Sequence, residues 1–243
     1  MASRQILLMS SSNLHGHAYL QHAKNDLINF FNKNNVTQIL FIPYALKNYD
    51  EYTAKVATVL EDWGYRVEGI HTKKNPIEAV TNAQSIYIGG GNTFLLLKTL
   101  YEKNLVDLIH RRVVNEGVPY VGSSAGTNVA THSICTTNDM PIVYPPSFNA
   151  LNLVPFNINP HYLDPDSNGK HKGETREQRI EEFHHFNENA VVGLREGTAL
   201  YIDGDKITLK GFYNARLFQK GKKPMEYPPE SDLSFLLFNN RTE

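Results

Sequence analysis

Gly122-Ser123-Ser124-Ala125-Gly126 sets a serine between two glycines where a short apolar run, Val118-Pro119-Tyr120-Val121, meets a helix start. Gly-x-Ser-x-Gly in that setting is the layout of a nucleophile elbow, a sharp strand-to-helix turn that holds a hydroxyl up over the sheet. The glycines leave room for a turn that side chains would block. The helix start behind the serine offers unpaired N–H groups that favour negative charge. The five positions are loosely specified, and a Ser/Gly-rich turn without chemistry satisfies them too. The flanking strand and helix are what make Ser124 a candidate nucleophile.

A serine hydroxyl needs a base, and the base needs an acid to orient it. Of the ten histidines, His161 in Ile158-Asn159-Pro160-His161-Tyr162 is best placed, after a short apolar run and at the mouth of a loop-rich region. Taken alone it reads more readily as a surface-loop histidine. His15 and His17 lie near the first helix start, and His184 and His185 lie inside a helix of solvated character. Two acids are candidates. Glu196 follows an apolar strand, at a strand end where open α/β sheets place chemistry. Asp139, in Thr136-Thr137-Asn138-Asp139-Met140-Pro141, suits the role or else holds a loop by bonding backbone N–H groups. The residues alone leave both open. For the oxyanion, the Ala125 amide is the natural first donor, and the Gly89-Gly90-Gly91 loop supplies the second, with Gly90 the expected one. That loop lacks the Gly-Lys-Ser/Thr ending of a P-loop and the spacing of a dinucleotide fingerprint.

These residues need a scaffold, and the pattern around them supplies one. Strands are expected at Gln5 to Ser10, Gln38 to Ile42, Arg66 to His71, Ser85 to Ile88 and Val118 to Val121. Helices are expected over 17–32, 49–64, 76–83 and 94–115, Gly117 breaking the last. Alternation of this kind implies right-handed crossovers and a mostly parallel sheet flanked by helices, a three-layer α/β fold with both Gly-rich loops at strand ends. Beyond Ala130 the chain reads as long functional loops. A Thr175-x-x-Gln178 capping box then opens a helix running to about Phe186. Short strands follow, at 199–202, 207–209 and 216–219, with a hairpin turn at Asp203-Gly204-Asp205. The final strands, ending Ser234-Phe235-Leu236-Leu237-Phe238, either cover a sheet edge or meet a second subunit in a homodimer.

Composition narrows the class. The 243 residues, 41% hydrophobic and 20% charged, suit one soluble α/β domain over 1–243. A net charge of −1 points to neither nucleic acid nor an anionic membrane as partner. Cys135 is the only cysteine, which excludes an intramolecular disulfide. The N-terminal apolar run reads as a strand and not a signal peptide, so the cytoplasm is the simplest location. No cofactor or metal motif is present. Asp164-x-Asp166-x-Asn168-Gly169 opens like a calcium loop, but Thr175 stands at its twelfth position, where Glu is required.

Gly89-Gly90-Gly91-Asn92-Thr93, the elbow, Thr136 to Val143, Asn159-Pro160-His161 and Gly173-Glu174-Thr175-Arg176-Glu177-Gln178-Arg179-Ile180 together resemble the peptidase E family of α-aspartyl dipeptidases. The blocks keep their order and run from the first strand to about Gly197. The resemblance implies a cytosolic, metal-independent serine peptidase with a class I glutamine amidotransferase-like fold, cleaving small substrates that begin with aspartate. It implies Ser124 as nucleophile and His161 as base. Both Asp139 and Glu196 match positions proposed for the acid, with Glu196 favoured as the partner of His161. Position 123 is Ser where bacterial members carry Trp, a change expected to alter the pocket wall.

An aspartyl side chain in a pocket must meet a cation or several donors. Arg176, at the start of the capping-box helix, offers a bidentate fork for it. Glu174 is the candidate acceptor for the substrate's α-amino group. Two other readings are weighed against this one. A cyanophycinase-like β-aspartyl peptidase needs a wider, more acidic pocket, and a non-catalytic binder of acidic ligands would not need to keep serine, histidine and acid together.

Overall fold

The computed structural model describes residues 3–165 and 173–238, so Asp166 to Gly169 of the calcium-like segment lie outside the described residues. In chain order the elements are β1 (Gln5–Met9), α1 (Lys24–Lys33), β2 (Gln38–Ile42), α2 (Tyr49–Asp62), β3 (Arg66–Gly69), α3 (Pro76–Thr81), β4 (Ile86–Ile88), α4 (Thr93–Glu102), α5 (Val106–His110), β5 (Tyr120–Ser123) and α6 (Ala125–Val129). After a long irregular stretch come β6 (Asn157–Pro160), α7 (Arg176–Phe186), β7 (Val191–Leu194), β8 (Thr198–Asp203), β9 (Lys206–Gly211), β10 (Ala215–Phe218) and β11 (Met225–Tyr227).

The larger sheet has the order β3-β2-β4-β5-β1-β8-β9. Its first five strands run parallel, β8 pairs antiparallel with β1, and β9 pairs antiparallel with β8. Its central strands β1, β4 and β5 are buried on both faces, as the middle of a sheet between two helical layers requires. The period of two sorts them cleanly. Ile6, Leu8, Leu40, Ile42, Ile86 and Ile88 pack with α3, α4 and α5. Leu7, Met9, Ile39, Phe41 and Tyr87 pack with α1 and α2. The architecture is the class I glutamine amidotransferase-like α/β fold. A smaller sheet, β11-β10-β7-β6, carries the second half of the site. Its Ile158, Val192 and Leu194 join the same core as β1 and β4.

Three elements differ from the sequence reading. The first helix starts at Lys24, after a short 3₁₀ turn, because Leu20 takes φ 60° with its N–H bonded to the Ser12 carbonyl. The helix expected over 94–115 is broken after Glu102. Asn104 enters the left-handed region at φ 57°, and the Leu105 N–H returns to the Leu100 carbonyl in a Schellman-type stop. The segment Ser234–Leu237 is a 3₁₀ turn packed on β9, not a strand. The hairpin stands as read, with Gly204 at φ 62° in the first central position of a two-residue turn.

Candidate active site

Ser124 leaves β5 with φ 53° and ψ −108° and begins α6. Such a conformation costs a non-glycine residue about 1–3 kcal/mol and persists only where the surroundings enforce it. Here the Ser124 N–H donates to the Met9 carbonyl at 3.1 Å, and Thr127 Oγ1 donates to the same oxygen at 2.6 Å. The Tyr120 hydroxyl holds the Gly126 carbonyl at 2.6 Å. The two elbow glycines are required by contact: a Cβ on Gly122 would lie 2.6 Å from the Gly126 oxygen, and one on Gly126 only 2.0 Å from the Ile88 oxygen.

The smaller sheet delivers the base and the acid. Parallel β6 and β7 pair Pro160 with Leu194, so His161 and Glu196 emerge from neighbouring strand ends. His161 Nε2 lies 2.8 Å from Ser124 Oγ, and its Nδ1 lies 2.6 Å from Glu196 Oε1. With Nδ1 donating to the carboxylate, Nε2 is left to accept the serine proton. The pair is partly open to solvent, His161 being 36% and Glu196 44% exposed. Ser10 couples the two sheets behind them. It follows β1, donates its hydroxyl to the Leu194 carbonyl at 2.7 Å, and accepts the His161 N–H at 2.9 Å.

Arg195, next to Glu196, spends all five guanidinium N–H groups. It binds Asp164 at 2.8 and 2.6 Å, Glu226 at 2.9 Å twice, and the Asn214 carbonyl at 2.7 Å. This ties the segment after His161 to the β10–β11 region beside the acid. The Arg195 fork, above all, holds the Asp164 carboxyl below its usual range. A depressed carboxyl stabilises the fold above its unfolded pKa of about 3.9 and loses that contribution as pH falls through its folded value. Arg195→Leu is therefore expected to lower Tm at pH 7, with the gap to wild type narrowing below about pH 4. A gap that stays constant on acid titration would contradict this coupling.

Four of the expected assignments need revision. The Asp139 carboxylate does not meet His161: it accepts the Thr93 N–H at 2.7 Å and the Thr93 hydroxyl at 2.6 Å, capping the first turn of α4. The Gly90 N–H is already taken, donating to the Tyr52 hydroxyl at 2.7 Å. Among the described residues, the Ala125 N–H, next to the nucleophile, has no hydrogen-bond partner, and neither has that of Gly91, which lines the same cleft as Ser124. Glu174 pairs with Arg179 at 3.6 Å, on the exposed side of the α7 start. Ser123 is fully buried, receiving a hydrogen bond from the Tyr87 hydroxyl at 3.4 Å, so it faces the layer beneath the site and not a pocket wall.

Arg176 begins α7 half-buried and with no carboxylate within ion-pair distance among the described residues. Burial, and then the neighbouring Arg179, push its guanidinium below its usual range, while Asp139 pulls the other way. Among the described residues it is thus a cation without an ion-pair partner, close enough to Asp139 to feel its charge. Sequence reasoning missed Ser10, Tyr52 and Arg195, and within the glycine loop put Gly90 ahead of Gly91. The signal for Ser10 was legible: a run of three serines at a strand's carboxyl end, in a sheet that puts chemistry there. Tyr52 lies within the helix expected over 49–64, where a phenol among apolar residues carries no sign of a polar role.

Tyr52→Phe would free the buried Gly90 N–H and loosen the loop that presents Gly91. The expected result is a fall in kcat of about three- to tenfold with KM little changed, since losing one neutral hydrogen bond is worth on the order of 1 kcal/mol. An unchanged kcat would show that the latch does not matter.

Comparison with known proteins places this geometry among relatives. The model of Peptidase family S51 matches residues 6–210. A Drosophila melanogaster protein named "Probable alpha-aspartyl dipeptidase" is 56% identical over 236 residues, covering 97% of this chain and 98% of that protein. A Streptomyces coelicolor protein named peptidase E is 48% identical over 232 residues, 96% and 94% of the two chains. The crystal structure of a peptidase from an acI-B1 Actinobacterium superposes with a TM-score of 0.69 at 19% identity, covering 96% of this chain and 97% of that one.

Proposed function

The chain belongs to peptidase family S51 and is a serine-type dipeptidase, and from that premise we propose how this site cleaves dipeptides that begin with aspartate. The observation that carries the reading is the continuous hydrogen-bonded line Ser124–His161–Glu196. Ser124 Oγ attacks the scissile carbonyl carbon as its proton passes to His161 Nε2. Glu196 keeps the imidazole in the required tautomer and stabilises the imidazolium. The tetrahedral oxyanion is met by the Ala125 and Gly91 N–H groups. His161 then gives its proton to the leaving amine, and an aspartyl ester remains on Ser124. Water, deprotonated by His161, attacks that ester and releases aspartate. Arg176 holds the substrate β-carboxylate on the Asp139 flank.

The test is hydrolysis of Asp-Leu, Asn-Leu and Leu-Leu by wild type and Arg176→Met. Wild type is expected to cleave Asp-Leu far better than the other two. Arg176→Met is expected to lose about a hundredfold in kcat/KM for Asp-Leu, the scale of a charge-assisted bidentate contact, and little for Asn-Leu. A variant that keeps its preference for Asp over Asn would show that another group reads the β-carboxylate.

A further inference from the structure

A cleft of about 490 Å³ opens beside the nucleophile, within the size range of small-ligand sites. Ser124, Gly90, Gly91 and His161 line it. Lys47 and Asn48, just ahead of α2, and Glu51 and Lys55, on α2, form another part of its wall. Building on the Ser124–His161 reading, we propose that this cleft seats the leaving residue, and that Lys55, with Lys47 beside it, holds that residue's free C-terminal carboxylate.

Direction comes from the proton. The leaving amine takes its proton from His161 Nε2, so the leaving residue lies on the side of Ser124 that His161 shares, and His161 lines this cleft. Arg176 is not among the residues lining it, which leaves the aspartyl half to the opposite flank, near Asp139. Charge comes from the wall. Neither Lys47 nor Lys55 has a carboxylate within ion-pair distance among the described residues. The one acid of the wall, Glu51, accepts from Asn48 Nδ2 at 2.8 Å. Lys55 Nζ rests 4.2 Å from the centre of the Tyr19 ring, a cation–π seat that holds the ammonium at the cleft. Tyr52, beneath it, is bonded to the Gly90 N–H, so the same layer links the lysine wall to the nucleophile loop.

The chemistry fits a dipeptide. Its terminal carboxylate carbon lies three bonds from the scissile carbonyl carbon, within roughly 4 Å along the chain by standard bond lengths. A longer peptide would put a neutral amide there, and the ammonium groups would gain nothing from it. The lysine wall thus favours substrates that end after the second residue.

The test compares kcat/KM for Asp-Leu and for Asp-Leu amide, using wild type, Lys55→Met and the Lys47→Met/Lys55→Met pair. Wild type is expected to prefer the free acid by about tenfold or more, the scale of one charge-assisted hydrogen bond. In the double variant that ratio is expected to fall to within about threefold of unity, chiefly through KM for Asp-Leu. An acid-to-amide ratio equal in wild type and double variant would overturn the proposal. So would a double variant that lost its preference for Asp-Leu over Asn-Leu, since the lysines would then be reading the aspartyl half. An aspartyl anilide, which has no carboxylate on its leaving side, separates the two levels. Its turnover by wild type reports the Ser124 machinery, and its failure would overturn the serine reading and this proposal with it.

Discussion

Ser124→Ala lowers kcat for Asp-Leu by roughly four to six orders of magnitude, the range seen when a triad nucleophile is removed. The neighbouring Ser123 hydroxyl is not placed to replace it, being fully buried and bonded from Tyr87. The residual rate expected is what the oxyanion donors proposed at Ala125 and Gly91, and substrate binding, still supply. Tm should change little, because alanine bears the same left-handed backbone at φ 53° and the bonds that enforce it come from the Ser124 backbone N–H, Thr127 and Tyr120. Steady-state kinetics beside thermal unfolding checks both halves. A folded variant that retained more than a tenth of the activity would remove Ser124 from the mechanism.

Glu196→Ala is expected to lower kcat by about a hundred- to ten-thousandfold, against an upper bound near 10⁴ for a buried triad acid. Its carboxylate is 44% exposed, so water can partly replace it at His161 Nδ1, which favours the lower end of that range. The comparison with Asp139→Ala gives this prediction its value. Asp139 caps α4 through the Thr93 N–H and hydroxyl, so its loss should destabilise the fold by about 1–2 kcal/mol and reduce kcat far less. Kinetics and denaturant unfolding of both variants separate the roles. The reverse pattern, with Asp139→Ala inactive and Glu196→Ala near wild type, would return the acid's role to Asp139.

Both of these residues were visible in the sequence as candidates, and the reason the sequence could not choose is physical. A carboxylate after a strand and a carboxylate in an Asn/Pro-rich loop are equally able to reach an imidazole. The choice was made by a pairing between β6 and β7, and strand pairing is a long-range event that leaves little local trace. The alternation of apolar strands and amphipathic helices through residue 123, the elbow, and the position of His161 after a short apolar run were all readable. The loop 131–156 was not, because its order depends on backbone contacts such as Ile134 to Phe148 and Leu151 to Val129. The choice between Gly90 and Gly91 was hidden for a similar reason. It is decided by the Tyr52 hydroxyl, on a helix thirty-eight positions away, and a phenol on an apolar helix face looks like core. Asn104 was the one local signal misread: its tolerance of positive φ ends a helix whose apolar pattern continues.

The central claim is that Ser124 is a nucleophile activated by His161 and served by a site that reads aspartate. The most direct measurement is labelling of the wild-type protein by a fluorophosphonate probe, with the modified peptide located by mass spectrometry and the rate followed with Asp-Leu or Asn-Leu present. The account predicts a single adduct on Ser124, formed much more slowly in His161→Ala and slowed by Asp-Leu but not by Asn-Leu. No adduct on Ser124 in a preparation that still hydrolyses Asp-Leu would contradict it.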